Sequence, residues 1–125
     1  IIDGSISSSS ITMTNNIIHI GSGSFSNCLR NAHDITISEN VKKIAREVFT
    51  NCYGIEKVVL PENLEEIGLG AFQACEELKD INIPDSVKFI GYGAFLGTPV
   101  EDEMDAKIQE LRNKYPDLYT QENGY

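Results

Sequence analysis

The chain has 125 residues, a hydrophobic fraction of 41% and a formal net charge of −9 at pH 7. A chain of this length forms one domain or part of one, and its negative charge argues against nucleic acid and anionic membrane surfaces as partners, because their phosphates would repel it. No stretch approaches the roughly 18 apolar residues of a membrane-spanning helix, so no membrane insertion is predicted.

Residues 1–10 are rich in serine and contain three apolar side chains, those of Ile1, Ile2 and Ile6. We predict that this segment forms a degenerate N-terminal repeat or a frayed strand. It has neither the basic region nor the long apolar region of a signal peptide. No N-terminal cap is evident: either preceding sequence is missing, or the first strand edge is open to end-to-end contact with a partner chain.

Apolar residues recur in fixed phase from residue 11 to residue 97. Phe25, Phe49, Phe72 and Phe95 are 24, 23 and 23 residues apart. Four further apolar columns keep the same spacing: Ile11, Ile35, Val58 and Ile81; Met13, Ile37, Leu60 and Ile83; Ile17, Val41, Leu64 and Val87; and Ile20, Ile44, Ile67 and Ile90. Five columns that hold register through four units predict a repeat solenoid of four coils, each of 23–24 residues.

Each coil is predicted to contain a strand, a second short extended piece and a short helical turn. Residues 78–83 alternate apolar and polar, which is typical of a half-buried strand, and Pro84 cannot donate to a strand ladder. Gly91 permits a bend before Ala94 and Phe95, which pack the helical turn on the core. Because one coil buries too little apolar surface to offset its ordering entropy, neighbouring coils must stack with parallel strands about 4.7–4.9 Å apart.

Residues 98–125 are predicted to form a C-terminal capping helix and a tail. The sequence Thr98-Pro99-Val100-Glu101 matches a capping box with proline at the first helical position. Apolar residues then follow on one helical face, at Met104, Ile108, Leu111 and Tyr115. We expect this face to cover the open core of the last repeat, and Pro116 to end the helix.

The segment from Pro61 to Leu78 reads P-x-x-L-x-x-I-G-x-G-A-F-x-x-C-x-x-L, and residues 84–95 repeat most of it. This pattern resembles the BspA-like leucine-rich repeat, also called the Treponema pallidum type, over residues 11–97. The first two coils depart from it, with Gly-Ser-Phe and Glu-Val-Phe in place of Gly-Ala-Phe and no proline. The resemblance implies a right-handed α/β-type coil with short parallel strands and short helical turns.

The resemblance also implies a role and a location. Proteins with such repeats are typically secreted or surface-anchored, in host-associated bacteria and some protozoan parasites. Known roles include adhesion to matrix proteins and host cells, and the repeat domain itself is not an enzyme. The resemblance therefore implies a protein or glycan on a host or matrix surface as the partner, and an extracellular or cell-surface location.

Cys28, Cys52 and Cys75 occupy equivalent positions in three coils. Their odd number excludes complete pairing within the chain, and their spacing is not that of a zinc site. A ladder of buried free thiols that act as small hydrophobic side chains is the favoured interpretation. A disulfide between two of them is the alternative.

No catalytic, metal or cofactor site is predicted. His19 and His33 have no cysteine or histidine at ligand spacing, and the acidic run at residues 101–105 lacks the glycine of a calcium loop. The glycines at residues 21–25 fall on the repeat's own bend, and no nucleophile–base–acid set can be assembled. The chain is therefore predicted not to be an enzyme.

Outward positions on the predicted strands form the candidate partner-binding face. One column is Thr12, Thr36, Val59 and Asn82, and the other is Ser10, Asp34, Lys57 and Asp80. Lys57 lies between two aspartates on adjacent strands, where opposite charges stabilise a sheet. Two hypotheses follow. The chain is a non-catalytic interaction module that binds through this face, or it is a structural spacer that displays other domains, with a solvated sheet face.

Overall fold

The computed structural model describes residues 10–28 and 31–125 of the chain. Seven short strands precede one α-helix and one 3-10 helix. The strands are β1 (Ser10–Thr12), β2 (Asp34–Thr36), β3 (Lys43–Ile44), β4 (Lys57–Val59), β5 (Glu66–Ile67), β6 (Asp80–Ile81) and β7 (Phe89–Ile90). The helices are α1 (Glu101–Lys114) and the 3-10 helix Pro116–Leu118. The predictions for residues 1–9 lie outside the described residues.

The strands form two parallel sheets: sheet A takes one strand from each of the four coils, and sheet B takes one strand from each of the last three. Sheet A has the order β1-β2-β4-β6, and sheet B has the order β3-β5-β7. In sheet A, Ile35 pairs with Ile11 on one side and with Val58 on the other. Residues separated by one repeat therefore lie side by side, and the predicted solenoid of short parallel strands is confirmed.

The third side of each coil is a series of hydrogen-bonded turns, which we call the turn ribbon (residues 21–28, 45–52, 68–75 and 91–98). The predicted helical turns are single turns here, and none extends into a regular helix. Residues two positions before and two positions after each phenylalanine have positive φ: Gly23, Asn27, Glu47, Asn51, Gly70, Ala74, Gly93 and Gly97. Because L-residues favour right-handed helices, a left-handed residue on each side stops the turns from continuing as one.

Backbone hydrogen bonds connect each turn ribbon to the next. The N–H of Phe49 donates to the carbonyl of Ala71 at 2.8 Å, and the N–H of Phe72 donates to the carbonyl of Ala94 at 2.8 Å. The two left-handed residues around each phenylalanine donate in the same direction, so three such bonds join each pair of ribbons. The ribbon thus satisfies its backbone donors between coils, as a parallel sheet does.

Stacked phenylalanine rings run through the interior behind the turn ribbon. The ring centroids of Phe25, Phe49, Phe72 and Phe95 are 5.5, 5.3 and 5.4 Å apart, and successive rings are tilted by 4–12°. Phe49 and Phe72 are fully buried between neighbours on both sides. The predicted alignment of the phenylalanine column is confirmed, and the rings of successive coils are stacked directly on one another.

Gly68 stands where one coil crosses close to the backbone of its neighbour. A Cβ atom added there would lie 2.8 Å from the carbonyl carbon of Ala45. Real Cβ contacts are not this short, so a side chain at residue 68 would push the two coils apart. The Ile-Gly pair in the repeat therefore has a packing reason: the glycine permits the close approach of adjacent backbones.

The first coil differs from the others on the side where those coils contribute a strand to sheet B. Ile17, predicted to face inward, is 37% exposed, and Ile18 is 71% exposed. Residues 17–20 form no strand, so sheet B does not extend to this coil. The inward prediction for Ile17 is wrong because a column position turns a side chain inward only where its coil is held in the sheet.

Helix α1 covers the last coil as predicted, but its start differs from the prediction. Met104, Ile108 and Leu111 are buried. The helix begins at Glu101, and Thr98 does not act as its N-cap: the Thr98 hydroxyl donates to the Phe95 carbonyl at 2.7 Å. The capping box is therefore wrong. Thr98 is buried at the end of the coil, where its hydroxyl needs an acceptor inside the repeat.

The tail after α1 returns to the open edge of sheet B. The Tyr119 hydroxyl accepts from the N–H of Ile90 at 3.2 Å and donates to the carbonyl of Lys88 at 3.1 Å. Its ring centroid lies 4.9 Å from that of Phe89. One tyrosine side chain therefore supplies two of the hydrogen bonds that a further strand would make with this edge.

Candidate partner-binding surface

The residues singled out from the sequence lie together on the outer face of sheet A, which we call the strand face (Thr12, Asp34, Thr36, Lys57, Val59, Asp80 and Asn82). Strand register places Ser10, Asp34, Lys57 and Asp80 in one row across four strands. A second row contains Thr12, Thr36 and Val59. Asn82 comes directly after β6, so it continues this row beyond the last hydrogen-bonded pair.

Alternation along each strand explains why these side chains reach the surface. In β4, Val58 is buried while Lys57 and Val59 on either side are exposed, because successive side chains in a strand point to opposite faces. Thr12, Asp80 and Asn82 are exposed as well. Asp34 and Thr36 in β2 are half-buried. The strand face is therefore accessible along its whole length, and its side chains are least exposed at β2.

Charge on this surface is ordered by the repeat. The Lys57 ammonium lies 3.9 Å from the Asp80 carboxylate. Among the described ion pairs Lys57 has no second carboxylate within 4.0 Å, so the expected pairing with Asp34 as well is not formed. Exposed pairs of this kind contribute less than about 1 kcal/mol, so this one sets local charge more than it stabilises the fold.

A second charged row, which sequence reasoning missed, lies beside the first. Glu56 lies 3.6 Å from His33 of the preceding coil and 3.3 Å from Lys79 of the following coil. The signal was present in the spacing, because these three residues are 23 positions apart like the apolar columns. In the first row Lys57 lies between Asp34 and Asp80, and in the second row Glu56 lies beside Lys79, so opposite charges face each other across neighbouring strands.

A groove of about 420 Å³ borders the strand face between the second and third coils. Thr36 and Val59 form one side of it, and Glu39, Glu62 and Asn63 lie around it. This volume is within the range of ligand sites, about 300–1,000 Å³. The groove widens the surface that a macromolecular partner would contact beyond the two strand rows.

Comparison with known proteins identifies the family. The family described as BspA type Leucine rich repeat region (6 copies) matches residues 3–111. This chain belongs to that family. The BspA-type match spans more than the four repeats counted from the sequence, since it begins within residues 1–10 and ends inside α1.

Two solved leucine-rich repeat proteins are similar in structure to this BspA-type chain. A leucine-rich repeat protein from Bacteroides ovatus is 27% identical with a TM-score of 0.52, covering 70% of this chain and 28% of that one. The T. pallidum leucine-rich repeat protein is 21% identical with a TM-score of 0.55, covering 72% of this chain and 55% of that one. The chain thus corresponds to a part of each protein. No curated protein matches it.

The cysteines of the BspA-type repeat separate into two groups. The thiols of Cys52 and Cys75 are buried, and each donates at 3.1 Å to the phenylalanine carbonyl of the preceding coil, at Phe25 and Phe49. Burial raises the pKa of Cys52 to about 11 and that of Cys75 to about 12. All three cysteines are free.

Cys28 is exposed, so the prediction of three buried thiols is wrong for this one. It belongs to the first coil, and no described coil precedes it to provide a covering surface and an acceptor carbonyl. The column position is the same in all three coils, but the burial of the side chain depends on the neighbouring coil.

Neither a metal centre nor a membrane span emerges from the part of the BspA-type chain that the structure describes. Within residues 10–28 and 31–125, no group of three or more His, Cys, Asp or Glu side chains is placed to hold a metal ion. Over the same residues, α1 is the one α-helix, and it is too short and too polar to cross a bilayer. The family is typically non-catalytic, and its repeats suggest a protein-interaction module.

Proposed function

We propose that this chain is a non-catalytic interaction module that binds a protein or glycan partner through the strand face. The observation that carries the proposal is the alignment of seven polar or exposed side chains in two rows on one accessible sheet. Solenoids use extended surfaces of this kind for binding because the stacked coils hold them rigid. Preorganised side chains lose little conformational freedom when a partner binds.

The chemistry of the strand face favours a large polar partner over a small molecule. Threonine hydroxyls, the Asn82 amide and the charged row offer hydrogen-bond donors and acceptors over several strands. Val59, 43% exposed, adds one apolar contact at the centre. The adhesive role on a host or matrix surface, and the extracellular or cell-surface location, complete the proposal, and the resemblance to BspA-like repeats supports both.

The test is binding of the purified chain to arrays of extracellular-matrix proteins and glycans, followed by a Lys57→Ala/Asn82→Ala double variant. We expect this variant to bind at least about tenfold more weakly, since interface energy concentrates in a few central side chains. Lys42→Ala is the matched control. Lys42 is an exposed lysine directly before β3 of sheet B, away from the strand face, and it pairs with Glu65 at 4.0 Å.

Two outcomes would contradict the proposal. A folded chain that binds nothing on either array would favour the structural spacer, which displays other domains without a ligand of its own. Equal losses of affinity in the double variant and in Lys42→Ala would show that the partner does not bind through the strand face. Thermal melting of all three proteins establishes that folding is unchanged.

A further inference from the structure

A second groove, of about 350 Å³, lies at the C-terminal end, away from the strand face. One wall is the turn ribbon of the last coil from Tyr92 to Leu96, and the other is the face of α1 that carries Glu101, Asp105 and Gln109. These three helix residues are four positions apart and therefore share one face. We call this space the cap groove.

The ribbon wall of the cap groove carries two unused backbone donors. In the coil before, the N–H groups of Gly70 and Phe72 donate to the carbonyls of Tyr92 and Ala94 at 3.1 and 2.8 Å. The equivalent groups in the last coil are the N–H groups of Gly93 and Phe95. Neither has a hydrogen-bond acceptor among the described residues.

The third donor of this set is already satisfied, and it shows what the others require. The N–H of Gly97 donates to the Glu101 Oε1 atom at 2.7 Å, in place of a carbonyl of a further coil. The N–H groups of Gly93 and Phe95, two residues apart, therefore remain without an acceptor among the described residues. Everywhere else in the ribbon such a pair binds two backbone carbonyl oxygens of one neighbouring segment.

The charge around these donors selects the kind of acceptor. Glu101 and Asp105 line the cap groove, and no described cationic side chain lies within 4.0 Å of either carboxylate. An anionic ligand on the two N–H groups would be repelled by these carboxylates. Neutral carbonyl oxygens accompanied by a cation fit both features, and the ring of Tyr92, which is 65% exposed, offers a face for that cation.

We propose that the cap groove binds an extended segment of a partner protein that carries a lysine or arginine. Carbonyl oxygens of two residues, i and i+2, accept hydrogen bonds from Gly93 and Phe95, as a further ribbon would. The cationic side chain pairs with Asp105 and Glu101. This is strand addition applied to a turn ribbon, with backbone bonds for affinity and charge for selection.

The experiment is an NMR titration of the whole ¹⁵N-labelled chain with two capped pentapeptides, Ala-Lys-Ala-Lys-Ala and Ala-Glu-Ala-Glu-Ala. We expect the lysine peptide to shift the amide resonances of Gly93 and Phe95, and the glutamate peptide to leave them in place. Asp105→Lys should weaken binding of the lysine peptide roughly tenfold, because attraction becomes repulsion. The matched control is Asp102→Lys, an exposed residue of the same helix that does not line the cap groove.

The proposal is overturned if the amides of Gly93 and Phe95 do not move with millimolar lysine peptide, or if the glutamate peptide moves them equally. Equal weakening by Asp105→Lys and Asp102→Lys would show that binding responds to the overall charge of the chain and not to the cap groove. Lys57→Ala should leave the titration unchanged, so this surface and the strand face can fail independently of each other.

Discussion

Cys52 and Cys75 show how a residue acquires its properties from the coil next to it. Each thiol is fully buried and donates to a phenylalanine carbonyl one coil away. Burial penalises the thiolate, which is why the pKa rises to about 11 and about 12. Because folding raises these pKa values, the stability that both groups contribute is complete below about pH 8.5 and is lost as the pH rises to about 11 for Cys52 and about 12 for Cys75.

Thiol labelling tests this division between the cysteines. We expect a soluble disulfide reagent to modify Cys28 within the native protein and to leave Cys52 and Cys75 unmodified up to about pH 10, because the thiolate is the reactive form and both stay protonated. Peptide mapping by mass spectrometry after labelling identifies the modified residue. Denatured protein, in which all three react, serves as the control; native labelling of all three at similar rates would contradict the buried pair.

At the scale of elements, the C-terminal tail takes the place of a further strand. Tyr119 satisfies two backbone groups at the edge of β7, and the Gly124 carbonyl accepts from the N–H of Tyr92 at 2.9 Å. Tyr125 lies between Tyr119 and Tyr92, with ring centroids 5.0 and 6.2 Å away, and the Arg112 guanidinium lies 4.7 Å from its ring centroid. Such coverage protects an edge that would otherwise pair with other chains.

Tyr119→Phe removes the hydroxyl while keeping the ring against Phe89. We expect the free energy of unfolding to fall by about 1 kcal/mol, because the N–H of Ile90 and the carbonyl of Lys88 both lose their partner. Chemical denaturation measures the loss, and faster amide exchange at Ile90 locates it. Tyr53→Phe, at a tyrosine that is 43% exposed, provides the comparison; equal effects at both positions would show that the hydroxyl of Tyr119 does not hold the edge.

At the scale of the whole molecule, stability depends on closing the stack. Each coil contacts its neighbours, so the solenoid behaves as a row of units joined by interfaces. Helix α1 closes one end by burying Met104, Ile108 and Leu111 against the last coil. The same helix forms a wall of the cap groove, so one element both stabilises the stack and shapes a candidate binding surface.

Deletion of residues 99–125 should expose the apolar end of the last coil. We expect aggregation and a lower melting temperature, since a large exposed apolar patch and an open strand edge both favour association. Size-exclusion chromatography and thermal melting measure the two effects. The control is Asn113→Ala, at an exposed position of α1 that does not line the cap groove. A deletion product that stays monomeric with the original melting curve would refute the capping role.

The sequence by itself determined the repeat length, the parallel stacking and the register of the strand face. Those features depend on spacing, and a spacing of 23 or 24 residues returns the chain to the same angular position in every coil. The columns through Phe49 and Phe72 and through Lys57 therefore appear in the structure in the order predicted. The covering helix was equally readable, because its apolar residues follow the period of an α-helix.

Only the tertiary structure decided what happens where the repetition stops. Ile17 and Cys28 occupy regular columns and are nevertheless exposed, while Tyr119 occupies none and closes the edge of sheet B. The unused donors of Gly93 and Phe95 likewise exist because α1, and not another turn ribbon, comes directly after the last coil. The physical reason is that burial and hydrogen bonding in a stack are supplied by the adjacent coil, and a repeat pattern contains no information about a missing neighbour.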